Sequence, residues 1–187
     1  MDFFYSDEMI FCSLITLGTI AGFDEIYFHQ YKSQLLKRAE SCIENYLHLF
    51  RSFIFSFIFI IISSFSLQGT WAIVVLSLFL LDVFVSIGDI LVERKSRSSI
   101  GGLSTGEYLT HMLLSFHLGI LYLNLIPKLI QSCSQGTTRL LESFGVLNVI
   151  TLTIGTLTFL YSVVQLFYLL KITWVKSSEN RECVTIN

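Results

Sequence analysis

Five long apolar stretches dominate this sequence, at about 9–31, 48–68, 70–92, 107–130 and 145–170. Each is near the roughly 20 residues that an α-helix needs to cross a hydrocarbon core of about 30 Å. In lipid, every backbone N–H and C=O must be satisfied internally, which excludes an open sheet, and no stretch shows the two-residue alternation of a barrel strand. The expected fold is an all-α membrane protein: one domain over 1–187, a bundle of about five transmembrane helices. The polar tail 176–187 is expected to be loosely ordered. Composition agrees, since 53% of the 187 residues are hydrophobic and 17 are Phe. A soluble domain of this length has too little interior to bury that much apolar surface.

Charge sets the expected orientation. Lys32, Lys37, Arg38 and Arg51 flank the first connection, Arg94, Lys95 and Arg97 follow the third span, and Lys171, Lys176 and Arg181 follow the fifth. Only Lys128 and Arg139 fall on the other side. The positive-inside rule then puts the N-terminus outside and the C-terminus in the cytoplasm, which five spans satisfy. The acidic start, "MDFFYSDEM", lacks the basic region of a signal peptide, so the first span is expected to be retained. Net charge is −2 with no basic patch, so the lipid bilayer is an expected partner and nucleic acid is not. Four cysteines without a CxxC give neither a disulfide framework nor a zinc ribbon. Gly18 and Gly22 form a GxxxG step, which serves packing within one chain or between two and leaves the oligomeric state open.

The ionisable residues are unevenly placed. Acid and histidine stand four apart at Glu25/His29, Glu44/His48 and Glu107/His111, and two acids do so at Asp89/Glu93. Residues four apart share a helix face. Asp82 extends the Asp89/Glu93 face, whereas Asp24, next to Glu25, is expected to point about 100° away. The topology gathers every pair at the cytoplasmic ends of four spans. At 1.5 Å per residue, Glu25, Asp89 and His111 each lie roughly 5–9 Å inside their helix ends, in one layer.

Each ionisable group inside a bilayer costs roughly 2.5–3.5 kcal/mol on insertion scales. A bound cation removes the repulsion among clustered acids and uses carboxylate and imidazole as ligands. Helix bundles build di-iron and di-manganese sites from Glu and Glu-x-x-His. The step here is four, so the physics matches and the motif does not. The expected metal ligands are Glu25, His29, Glu44, His48, Asp89, Glu93, Glu107 and His111, with Asp24 and Asp82 supporting them. Iron or manganese is favoured over zinc, because carboxylates outnumber histidines and no thiolate joins the cluster.

Structural roles compete for the same residues. Ser104–Glu107, "STGE", is a capping box that can employ Glu107 at the start of a helix. Glu93 can pair with Arg94, Lys95 or Arg97, and Glu40 and Glu44 with Lys37 and Arg38. His29 and His48 are expected near helix ends, where interfacial aromatics are usual. His117 lies about 240° past His111 and is expected to be a packing residue. Asp82, Glu25 and Asp89 lie deeper and fit these roles least. No GxSxG, Walker, GxGxxG or EF-hand pattern occurs.

The sequence DExxxH at Asp24–His29, ExxxH at Glu44–His48, DxxxER at Asp89–Arg94 and GExxxH at Gly106–His111 resembles small bacterial polytopic membrane proteins. The resemblance covers about 24 to 122. It implies a bacterial inner-membrane location and a grouping of these residues, and it carries no activity. The functional expectation is a carboxylate–histidine metal site, di-iron or di-manganese, near the cytoplasmic face of an oxidoreductase acting on a lipid-like substrate. The alternatives are a metal-ion or proton-coupled transporter, and a non-catalytic assembly protein whose polar belt docks a partner.

Overall fold

The structure, a computed structural model, describes residues 7–38, 40–136 and 145–185, with side chains through 173. The loop around Arg139, expected to be external, and the first residues of the acidic start lie outside this set. The described residues are helical, with no β-strand. Helix α1 (Asp7–Phe23) runs directly into a π-helical segment, Asp24–Lys32. After a short turn come α2 (Cys42–Ser64), α3 (Thr70–Ser96), α4 (Thr105–Ser132) and α5 (Gly145–Thr185). Five helical segments are long and apolar enough to cross a membrane: Glu8–Lys32, Cys42–Ser64, Thr70–Ser96, Thr105–Ser132 and Gly145–Thr173.

Several boundaries differ from expectation. The second span begins at Cys42 rather than 48 and ends at Ser64 rather than 68. Hydrophobicity alone starts a span where the apolar run starts, but here the polar turns of α2 are sheltered by protein. Glu44, Asn45 and Ser41 are all buried. His48 therefore lies more than one turn inside α2, not at its end. The expected loose tail from Lys176 instead continues α5 to Thr185.

Each helix packs chiefly against two others, in the cyclic order α1, α4, α3, α2, α5 and back to α1. Inside this ring lies an apolar core toward one end. Leu14, Ile58, Val75, Leu121, Leu125 and Leu129 are entirely buried there. Gly18 admits the close approach of α1 to its neighbours, since a Cβ there would sit 2.8 Å from Ile154 Cγ2 and 2.9 Å from Phe59 Cε2. A Cβ on Gly22 would meet nothing, so only one glycine of the GxxxG step is used within the chain. The α2–α3 turn passes through Gly69 at φ 51°, a left-handed conformation that glycine adopts without strain. Its N–H donates to Ser132 O at 2.9 Å, which ties this turn to the end of α4. The opposite end of the ring is polar, and the candidate site lies there.

Candidate metal centre

The site begins with the π-helical segment. A π-helix closes its hydrogen bonds five residues apart, which brings i and i+5 into register as well as i and i+4. His29 therefore meets both preceding acids. Its Nδ1 lies 3.2 Å from Glu25 Oε2, and its Nε2 lies 3.4 Å from Asp24 Oδ2. Gln30 reaches back five residues in the same way, donating from Nε2 to Glu25 Oε1 at 2.7 Å. Asp24 does not point away, because the 100° step assumed for it belongs to an α-helix. Phe28 holds the segment against the start of α4, where a Cβ on Gly106 would lie 3.1 Å from its ring.

Helix α4 contributes His111, whose Nε2 is 3.1 Å from Asp24 Oδ2 and whose Nδ1 is 3.7 Å from Glu93 Oε1. Helix α2 contributes His48, whose ring centroid is 4.3 Å from that of His29. Among the described residues, two groups thus have ligand atoms within 4.8 Å of one another: Asp24, His29 and His111, and Glu25, His29 and His48. His29 belongs to both and is 2% exposed. Asp24 Oδ1, also buried, has no hydrogen-bond partner.

Four expected ligands are engaged differently. Arg97, immediately beyond α3, turns inward and is 1% exposed. Its Nη2 donates to Glu44 Oε1 at 2.6 Å, its Nε donates to the same oxygen at 2.8 Å, and its Nη1 donates to Glu107 Oε1. Nη2 also lies 3.7 Å from Glu93 Oε1 and 3.4 Å from His29 Nε2. Burial opposes the charge on Arg97, but Glu44 and then Glu107 outweigh it and raise its pKa above the ordinary guanidinium value. Ser96 Oγ donates to Glu44 Oε2 as well. Glu44 and Glu107 occupy the first turns of α2 and α4, where the positive helix ends favour a carboxylate. Half of the expected capping box forms: Ser104 Oγ accepts from Glu107 N at 3.4 Å, while the Glu107 carboxylate turns to Arg97.

Asp89 and Asp82 form a deeper branch. Asp89 Oδ1 is 3.4 Å from His48 Nε2, and Asp89 Oδ2 is 3.8 Å from Arg51 Nη1. Asp82, near the middle of α3, accepts from Arg51 Nε at 3.1 Å and from the Tyr122 hydroxyl at 3.0 Å. His117 stays apart, its Nδ1 3.0 Å from Leu113 O. Glu40 is exposed and accepts from Ser99 Oγ at 2.7 Å.

Several participants had passed as something else in the sequence. Arg97 counted only toward topology and as a partner for Glu93, although its position four residues after Glu93 placed it on the same face. Arg51 falls at the edge of the second apolar run in the sequence, but the helix begins at Cys42 and places it well inside. Tyr161 and Gln165 on α5 donate to Glu25 Oε1 at 2.8 and 3.4 Å. Nothing local marks them, since their role depends on α5 lying beside α1. No family model matches the chain, and no curated protein or solved structure matches it.

Proposed function

We propose that this chain is a multi-pass membrane protein holding a transition-metal centre, iron or manganese, near the cytoplasmic face. Its N-terminus lies outside and its C-terminus in the cytoplasm. The observation that carries the reading is the convergence of Asp24, His29 and His111, with His29 and Asp24 buried and one Asp24 oxygen unpartnered. Two histidines and one carboxylate are the donor set that suits iron with open positions. Electrostatics point the same way. Asp24, Glu25, Glu44, Asp82, Asp89, Glu93 and Glu107 share the ring interior with the guanidinium groups of Arg51 and Arg97 and three imidazoles. Acids thus exceed fixed cations, and a bound metal would supply part of the missing positive charge.

The reaction class is oxidation of a lipid-like substrate with dioxygen as oxidant, in a bacterial inner membrane. His111 leaves one edge of the centre open, being 26% exposed where His29 is 2%. Exposed Tyr108 and Met112 flank it, so this edge is apolar. A transport pathway fits less well, because the interior of the ring beyond Asp82 is filled by the apolar core.

The test is elemental analysis of protein purified without chelator. Iron or manganese should be present, strongly reduced by His29→Ala and unchanged by His117→Ala. Protein free of transition metal, or equal loss with His117→Ala, would remove the reading. Reporter fusions at Ser99 and Gln135 check the orientation, with Ser99 inside and Gln135 outside.

A further inference from the structure

We infer that the centre holds a single ion, bound by Asp24, His29 and His111, and that Arg97 stands where a second ion would need to sit. This rests on the metal reading above and assigns the roles within it.

The two histidine–carboxylate groups are not equivalent. Both oxygens of Glu25 already have protein donors. Oε1 accepts from Gln30, Tyr161 and Gln165, and Oε2 faces His29 Nδ1 at 3.2 Å. A carboxylate so occupied has little lone-pair capacity left for an ion. It does have the geometry of a group that orients a ligating histidine, since a metal-bound imidazole turns its other nitrogen toward a carboxylate. Glu25 thus holds Nδ1 of His29 and turns Nε2 toward Asp24, where an ion would take the place of the 3.4 Å contact with Arg97 Nη2. The same relation recurs at His111, where Nε2 faces Asp24 and Nδ1 faces Glu93. Both Nε2 atoms converge on Asp24 Oδ2, at 3.4 and 3.1 Å. Asp24 Oδ1 is buried and unpartnered; Asp89 Oδ1 and His48 Nε2 are as well, but they lie 3.4 Å from each other in the Arg51 branch, whereas Asp24 faces both His29 and His111. The ligand acid is therefore Asp24, and Glu25 is the supporting one.

A second ion in a carboxylate-rich bundle needs acids free to bind it. Here Glu44 and Glu107, the acids on the other flank of His29, close on the Arg97 guanidinium. That group is a permanent cation under physiological conditions. It supplies locally the charge that a second metal would bring, and it stands 3.4 Å from His29 Nε2. His48 turns to Glu44 and Asp89 and belongs to the Arg51 branch.

The experiment is titration of metal-stripped protein with Cu(II) alone, followed by electron paramagnetic resonance, and with Mn(II) for stoichiometry. Wild type should take up a single ion and show hyperfine coupling to two nitrogens. His111→Ala should leave one coupled nitrogen, and His48→Ala should leave both. Asp24→Asn should abolish tight binding. Glu25→Gln should retain the site with affinity lower by about 10–100-fold. Uptake of two ions by wild type, loss of a nitrogen in His48→Ala, or stronger loss in Glu25→Gln than in Asp24→Asn would each overturn the assignment. Those outcomes leave the metal reading intact, whereas absence of any binding in wild type removes both.

Discussion

At one end of the helical ring, Leu14, Ile58, Val75, Leu121 and Leu125 fill the interior, and at the other end Glu44, Arg97, Glu107 and His29 do so. The same five helices pass through both ends, yet the interactions that hold them differ. In lipid there is little hydrophobic drive between helices, so the apolar end depends on close packing. Glycines matter there, and a Cβ on Gly155 would fall 2.8 Å from Phe59 Cβ and 3.2 Å from the Ile60 backbone nitrogen. The polar end depends on mutual satisfaction of charges that are costly alone. Packing tolerates many shapes of the right volume, but a buried charge tolerates few partners. The lesson is that the apolar end sets that the helices associate, and the polar end sets which neighbours they choose.

Substitutions can break or sharpen that contrast. The largest effect should come from Arg97→Ala, which strands Glu44 and Glu107 without their cation. Removing one partner of a buried pair costs about 3–5 kcal/mol. Denaturant titration in detergent should show this, and Arg97→Lys should recover part of it, because an ammonium lacks the planar fork. A change below ~1 kcal/mol in Arg97→Ala would mean the polar end contributes little to holding the ring.

Gly155→Ala should come next, at about 1–3 kcal/mol, because the atoms it meets are the Cβ of Phe59 and the backbone of Ile60 rather than a flexible side-chain end. If it exceeds Arg97→Ala, the order of the two ends is reversed. Asp82→Asn tests the junction between them. Asn keeps one acceptor, which can serve Arg51 or Tyr122 but not both, and removes the charge opposite Arg51, so about 1–3 kcal/mol should be lost in the same assay. The smallest effect should be Gly22→Ala, within about 1 kcal/mol and stabilising, since the new methyl meets nothing and the helix gains propensity. Dimer loss in Gly22→Ala by analytical ultracentrifugation would instead assign this glycine to contact between chains.

Much of this contrast is legible in the sequence. Five apolar runs give the helices, and acid–histidine pairs at their ends mark the layer where the polar side chains meet. The pairs are visible because a four-residue step is a local property of a helix. What is hidden is non-local or departs from the α-helix. Asp24 reads as facing away until the segment from Asp24 to Lys32 adopts five-residue hydrogen bonding. Arg97 reads as part of a polar Ser- and Gly-rich loop, yet the carboxylates of Glu44 and Glu107 draw it into the bundle. Tyr161 carries no signature because its partner, Glu25, lies on a helix far away in sequence. The polar stretch before the second apolar run can form helix, but its continuity with the span from Cys42 depends on shelter by neighbouring helices in place of hydrophobicity.

The cyclic order of the helices also bears on the order in which the chain is made. Segments emerge from the ribosome N-terminal first. Helix α1 is thus synthesised well before the neighbours it finally needs, since it packs on α4 and α5. Asp24 and Glu25 are made before His111, Tyr161 and Gln165 exist to receive them. During that interval the end of α1 must remain at the water interface or be sheltered by insertion machinery, because unpaired acids in lipid cost several kcal/mol. Chains halted after α3 would carry these acids without those partners, so the newborn protein depends on α5 to close the ring begun by α1.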